Sequence, residues 1–177
     1  MASDPVRVLA LDPGEKVGWA RADVYAPAPD LPLESAVEPS WSNLEHGITS
    51  LREMALAIWR KLEHAGTPGE YKPYDLIVVE SFRLSATKAS SQYGSDLPTV
   101  QFIGMVRLLG WIYGVDVVFQ GPSIKRTADK TAPTWLQEII ANEPKNHDDA
   151  HNVDALRHLW FWTWNTYVAK PVNEVAA

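Results

Sequence analysis

Val8-Leu9-Ala10-Leu11-Asp12 and Leu76-Ile77-Val78-Val79-Glu80 are two apolar runs, each ending on a carboxylate. Short continuous runs of Val, Ile and Leu read as strands covered on both faces, as in a parallel sheet. An ionised carboxylate at the end of such a strand is costly to desolvate and needs a partner. Pro13-Gly14 follows the first run as a turn signal, and Val17 to Val24 alternates well enough to return as an antiparallel strand. A third cluster, His147-Asp148-Asp149-Ala150-His151-Asn152-Val153-Asp154, opens an apolar, Trp-rich segment. A divalent cation is the simplest common partner for acids brought from three distant parts of one chain.

Outward from these runs, Asn43 to His64 is expected to be a helix. Leu44, Ile48, Leu51, Ala55, Ile58, Trp59 and Leu62 keep the helical period, with Ser42 or Asn43 as cap. Thr99–Tyr113 is expected as a second helix stopped by Gly114, and Val115–Gln120 as a third buried strand. Ser123–Lys130 reads as a basic loop, Thr134–Ala141 as a short helix, and Asp149 to Val168 as the last helix. Ala26–Pro39 reads as loop with at most one short strand near Leu33–Val37, and Ser85–Pro98 as a Ser-rich loop. No repeat or linker divides the chain, so residues 1–177 are expected to form one domain. The order predicts an α/β fold: a mixed central sheet with antiparallel first strands, flanked by helices.

The chain has 177 residues, 46% of them hydrophobic, and lacks an apolar run long enough to span a membrane. The N-terminus shows no basic-then-apolar leader, and cysteine is absent; cytoplasmic location is the expectation. A net charge of −6 argues against a protein that coats nucleic acid nonspecifically. It leaves room for a nuclease, in which metal ions and a local basic rim offset the acids. Eight Trp residues point to core packing and a subunit surface.

Asp12 and Glu80 end their strands on the side where open α/β sheets collect ligands. His151 and Asp154, three apart, share a helix face, and His158 continues it one turn on. If the first turns of that helix lie over the strand ends, Asp12, Glu80, His151 and Asp154 converge. Three carboxylates and an imidazole suit Mg²⁺ or Mn²⁺. Two such ions could serve phosphodiester hydrolysis. Each residue also has a plainer reading: Asp12 as a turn residue, Glu80 as a solvated strand end, Asp148 or Asp149 as a helix cap. His158 can pack against the aromatic C-terminus or pair with Asp154, and stays outside the expected core site.

Leu9-Ala10-Leu11-Asp12-Pro13-Gly14 with Val17-Gly18-Trp19-Ala20 resembles the first strand and hairpin of RuvC-type Holliday-junction resolvases. Val78-Val79-Glu80-Ser81-Phe82 resembles their second acidic strand, and Asp154-Ala155-Leu156 the Asp-Ala-Leu of their last helix. The resemblance runs from Arg7 to about Trp160. It implies an RNase H-like fold, a homodimer, and Mg²⁺- or Mn²⁺-dependent nicking of branched DNA. It implies Asp12, Glu80 and Asp154 as metal ligands, His151 as the fourth, and Asp148 as a fallback for His151. Phe82 falls near the aromatic side chain that probes the junction centre, though two residues after the Glu instead of three; Tyr93 is a second candidate. Lys125 and Lys130 resemble the family's basic segment, with Lys125 beside the scissile phosphate, and Lys88 and Arg126 would add phosphate contacts.

The acidic balance, the shortened basic segment and the tail Leu159-Trp160-Phe161-Trp162-Thr163-Trp164 look more like divergent bacteriophage members, which widens the expected substrates to forks and flaps. The alternatives are an inactive branched-DNA-binding module and an RNase H-like nuclease acting on RNA. An actin-like ATPase needs two such domains where this chain provides one. The helices around Leu44–Leu62 and Thr99–Tyr113 are the candidate dimer surfaces.

Overall fold

β1 (Val6–Pro13) pairs antiparallel with β2 (Lys16–Tyr25) on one side and parallel with β4 (Leu76–Glu80) on the other. β3 (Ser40–Ser50) extends the antiparallel side and β5 (Asp116–Gln120) the parallel side, giving the order β3-β2-β1-β4-β5. The computed structural model describes residues 4–27, 39–64, 73–82, 97–142 and 150–169. The segment near Leu33–Val37, the Ser-rich loop carrying Lys88 and Tyr93, and Asp148 and Asp149 lie outside the described residues.

The helices are α1 (Leu51–His64), α2 (Pro98–Tyr113), α3 (Lys125–Thr131), α4 (Thr134–Asn142) and α5 (His151–Tyr167). Side chains alternate across the sheet. Leu9, Leu11, Ile77 and Val79 are buried with α1 and α2, while Val8, Ala10 and Val78 are buried with α4 and α5. Helices on both faces explain why these strands are continuously apolar. No helix among the described residues is long and apolar enough to cross a membrane.

Two expectations fail. The helix expected from Asn43 begins only at Leu51, and Ser40–Ser50 is instead the edge strand β3. A bulge sets Asn43 and Leu44 against the single residue Ala22, with Asn43 at φ 52°. The extra residue puts Trp41 and Leu44, three apart, against the same core. With Ile48 and Leu51 following, this spacing imitates a helical period. The true start signal is Ser50-x-x-Glu53. The Glu53 amide donates to Ser50 Oγ and the Ser50 amide donates to Glu53 Oε2, each at 3.2 Å.

Likewise, the basic loop expected over Ser123–Lys130 is a 3₁₀ turn at Pro122–Ile124 running into α3. Six polar residues around a single Ala128 carry no readable amphipathic period, and tertiary contacts hold this helix. Ala128 is buried, and Trp160 Nε1 donates to Thr131 Oγ1 at 3.0 Å. Gly114 ends α2 as expected, in the left-handed conformation at φ 64°.

Candidate active site

Leu11 pairs with Val79, so Asp12 and Glu80 leave the sheet side by side at the ends of parallel strands. α5 crosses this edge with its first turn against the β1–β2 hairpin. Gly18 lies opposite Asp12 and makes this possible. A Cβ there would fall on the His151 carbonyl and lie 2.5 Å from the Asn152 amide nitrogen. Gly14 gives similar room to the His151 ring, and Thr99 Oγ1 donates to the Gly14 carbonyl at 3.0 Å, tying α2 to the same turn.

Three carboxylates meet one ammonium. Lys125 Nζ donates to Asp154 Oδ2 at 2.6 Å, pairs with Glu80 Oε2 at 2.8 Å, and lies 3.9 Å from Asp12 Oδ1. His151 Nδ1 is 2.6 Å from the other oxygen of Asp12. Arg157 bridges Asp154 Oδ1 at 2.8 Å and Asp129 of α3 at 2.7 Å, fixing α3 to α5 and with it the position of Lys125. His158, fully buried, places Nε2 2.9 Å from Glu80 Oε2 and Nδ1 2.8 Å from Gln120 Oε1.

The structure thus brings Asp12, Glu80, Lys125, His151 and Asp154 together. Arg126 and Lys130 are exposed on α3, and Phe82 is exposed just beyond β4. His158, left outside the sequence-derived site, lies inside it. Asp12, Glu80 and His158 each bring one donor atom within 4.8 Å of the others. Two hard carboxylate oxygens and an imidazole nitrogen fit a small divalent cation. Gln120 and Arg157 escaped the sequence reading, though both had a signal. Gln120 ends an apolar strand as Asp12 and Glu80 do, and Arg157 stands three residues after Asp154 on the same helix face.

Burial pushes the Asp12 carboxyl up to about 6, with the His151 bond opposing this and the Glu80 charge reinforcing it. Burial acts the same way on Glu80, but bonds with His158, Asp12 and Lys125 overcome it and hold that carboxyl at about 2. Lys125 loses charge stability by burial and regains more from Asp12, Asp154 and Glu80, so it stays an ammonium. The bond to Asp12 raises His151 despite partial burial.

A cation bound by Asp12 would therefore have to displace a proton from it as pH falls through about 6. Mn²⁺ affinity, read by calorimetry, is expected to weaken as pH falls, first as the raised His151 takes up a proton and then by about tenfold or more per pH unit below 6 as Asp12 does. Flat affinity down to pH 4.5 would mean that Asp12 does not bind the ion.

No protein-family model matches the sequence, and no curated protein matches it. Solved structures do. Thermus thermophilus RuvC in complex with a Holliday junction substrate aligns at TM-score 0.53 and 17% identity, over 91% of this chain and 96% of that one. The yeast mitochondrial Holliday junction resolvase aligns at TM-score 0.53 and 11% identity, over 94% of this chain and 82% of that one. The fold is the RNase H-like fold of RuvC. Within that RuvC fold, the strand order and helix placement described above put the acids at the open ends of the central parallel pair.

Proposed function

We propose that this chain is a metal-dependent endonuclease that nicks branched DNA, four-way junctions foremost, and works as a homodimer. One observation carries the reading. Asp12, Glu80 and Asp154, from β1, β4 and α5, meet around the single ammonium of Lys125 at the open edge of a RuvC-like sheet. A merely structural site has little reason to collect three carboxylates there, since their desolvation is unfavourable. The similar structures add support, one being RuvC in complex with a Holliday junction substrate and the other a Holliday junction resolvase.

Asp12, Glu80, His151 and Asp154 would hold Mg²⁺ or Mn²⁺. Such ions, when bound, activate a water and offset charge on the leaving oxygen. Lys125 carries a positive charge at the same point, and a phosphate oxygen can replace a carboxylate as its partner, so the side chain stabilises the crowded phosphorus centre. His151 and Asp12 fix each other's orientation through their hydrogen bond. Phe82 would stack on a base at the branch point, while Arg126, Lys130 and Lys88 would hold neighbouring phosphates.

The test is cleavage of labelled junction, fork, flap and linear duplex, with RNA counterparts, under Mg²⁺, Mn²⁺ or EDTA. Metal-dependent cutting of branched DNA is expected. Asp154→Asn should abolish it while junction binding is retained or tightened, because a carboxylate facing phosphate is gone. Loss of binding with cleavage would remove the ligand role. Preferential cutting of RNA would favour the ribonuclease reading, and binding without any cutting the inactive module.

For the homodimer, α1 and α2 carry exposed apolar side chains: Trp59, and a stripe of Leu108, Trp111 and Ile112. Trp111 is 82% exposed, which is unusual for so large an apolar group. Trp111→Asp is expected to convert a dimer into a monomer in sedimentation analysis at micromolar concentration. A monomeric wild type would remove the homodimer from the proposal.

A further inference from the structure

Glu80 and Gln120 are register partners at the ends of β4 and β5, and the His158 ring reaches across both from α5. Gln120 faces Nδ1 at 2.8 Å, and its carbonyl oxygen accepts from that nitrogen when the ring carries its proton there. In the neutral ring this leaves a lone pair on Nε2, aimed at Glu80 Oε2 across 2.9 Å. Asp12 brings an oxygen within 4.8 Å of both atoms, so a cation entering there would be shared by Asp12, Glu80 and the Nε2 lone pair. A small octahedral ion with bonds of about 2.1 Å separates neighbouring donors by about 3 Å, which is the spacing found here. The ring is fully buried and cannot trade this arrangement for water.

Resting on the metal-dependent reading above, we infer that His158 is a nitrogen ligand to the cation held by Asp12 and Glu80. Gln120 selects which nitrogen it offers, and the chain consequently favours Mn²⁺ over Mg²⁺. Imidazole nitrogen raises affinity for a transition ion relative to Mg²⁺, whereas carboxylates alone discriminate little. An acceptor on the far ring nitrogen sets the tautomer and increases ligand basicity, a contribution typically worth about 10–100-fold in metal affinity. Gln120 is thus a positioning residue, and His158 a ligand.

The test uses the intact chain loaded with Mn²⁺ and pulsed electron paramagnetic resonance, which detects nitrogen bound directly to the ion. His151→Gln removes the other candidate nitrogen. In that background the nitrogen coupling is expected to persist, and to vanish when His158→Gln is added. The glutamine amide can still donate to Glu80, so a brace would survive this change where a ligand would not. Coupling lost in His151→Gln alone overturns the inference, because His158 would then only brace Glu80 through its hydrogen bond.

Should the double variant fail to fold, Gln120→Leu leaves both imidazoles in place. It is expected to weaken Mn²⁺ about tenfold and Mg²⁺ less, with Gln120→Glu restoring Mn²⁺ binding. Equal losses for the two ions overturn the inference. Metal-dependent cleavage without His158 coupling sinks this inference alone. A wild type that binds no Mn²⁺ and cuts nothing sinks the nuclease reading as well.

Discussion

Asp12→Asn is expected to abolish cleavage, by about 10³-fold or more, while making the metal-free protein more stable at pH 8. The two effects share a cause. Asp12 is buried, and its carboxyl is raised from 3.8 to about 6 in the folded protein, so folding favours the protonated form. Its stabilising contribution is fully present below pH 3.8 and is lost as pH rises through about 6. The gap is worth up to about 3 kcal/mol.

Asparagine resembles the protonated acid. Its amide can donate to Glu80 and its carbonyl can accept from His151. The variant should match wild type near pH 4 and melt several degrees higher at pH 8 in EDTA. Thermal melts at the two pH values, beside junction cleavage in Mg²⁺, check both halves. A variant that melts lower at pH 8 and still cuts would make Asp12 an ordinary turn residue.

Gly18→Ala carries the other large effect, although Gly18 touches no substrate. The nearest atoms the added methyl would meet are backbone: the His151 carbonyl and the Asn152 amide. Backbone cannot rotate away, so the first turn of α5 must move, taking His151 and Asp154 with it. A displacement near 1 Å is enough to cost about 10²-fold in rate, and overpacking of this kind typically costs about 1–3 kcal/mol. Gly104→Ala is the matched control, because a Cβ there meets nothing within 4 Å. That variant should keep full activity and gain slightly in helix stability. Unimpaired cleavage by Gly18→Ala would show that α5 does not depend on its seat against the hairpin.

β1 and β4 were legible because burial on both faces leaves a continuous apolar run, and a carboxylate closing such a run stands out. β3 was not, because the spacing of Leu44, Ile48 and Leu51 runs on in helical period into α1, and the Ser50–Glu53 capping bonds that mark the true start show only in the structure. α3 was not legible because a seven-residue polar helix has no period of its own. In the site, Asp12, Glu80, His151 and Asp154 could be named from strand ends and helix spacing. His158 looked equally like a core residue, and Gln120 and Arg157 shared a strand-end position and a helix face with the acids but carried no carboxylate to single them out.

By itself, the order of residues determined the strands that end in acids, the parallel neighbours they form, and the helix that brings the third carboxylate. Local chemistry sets these, since periodicity and desolvation act along the chain. Which groups share one charge was decided only in the tertiary structure. Lys125 pairs with three carboxylates because a short polar helix is packed on α5, and His158 turns inward because β4 and β5 place Glu80 and Gln120 abreast. Electrostatic partnership depends on distances of a few ångströms between segments far apart in the chain, and only the folded packing sets those distances.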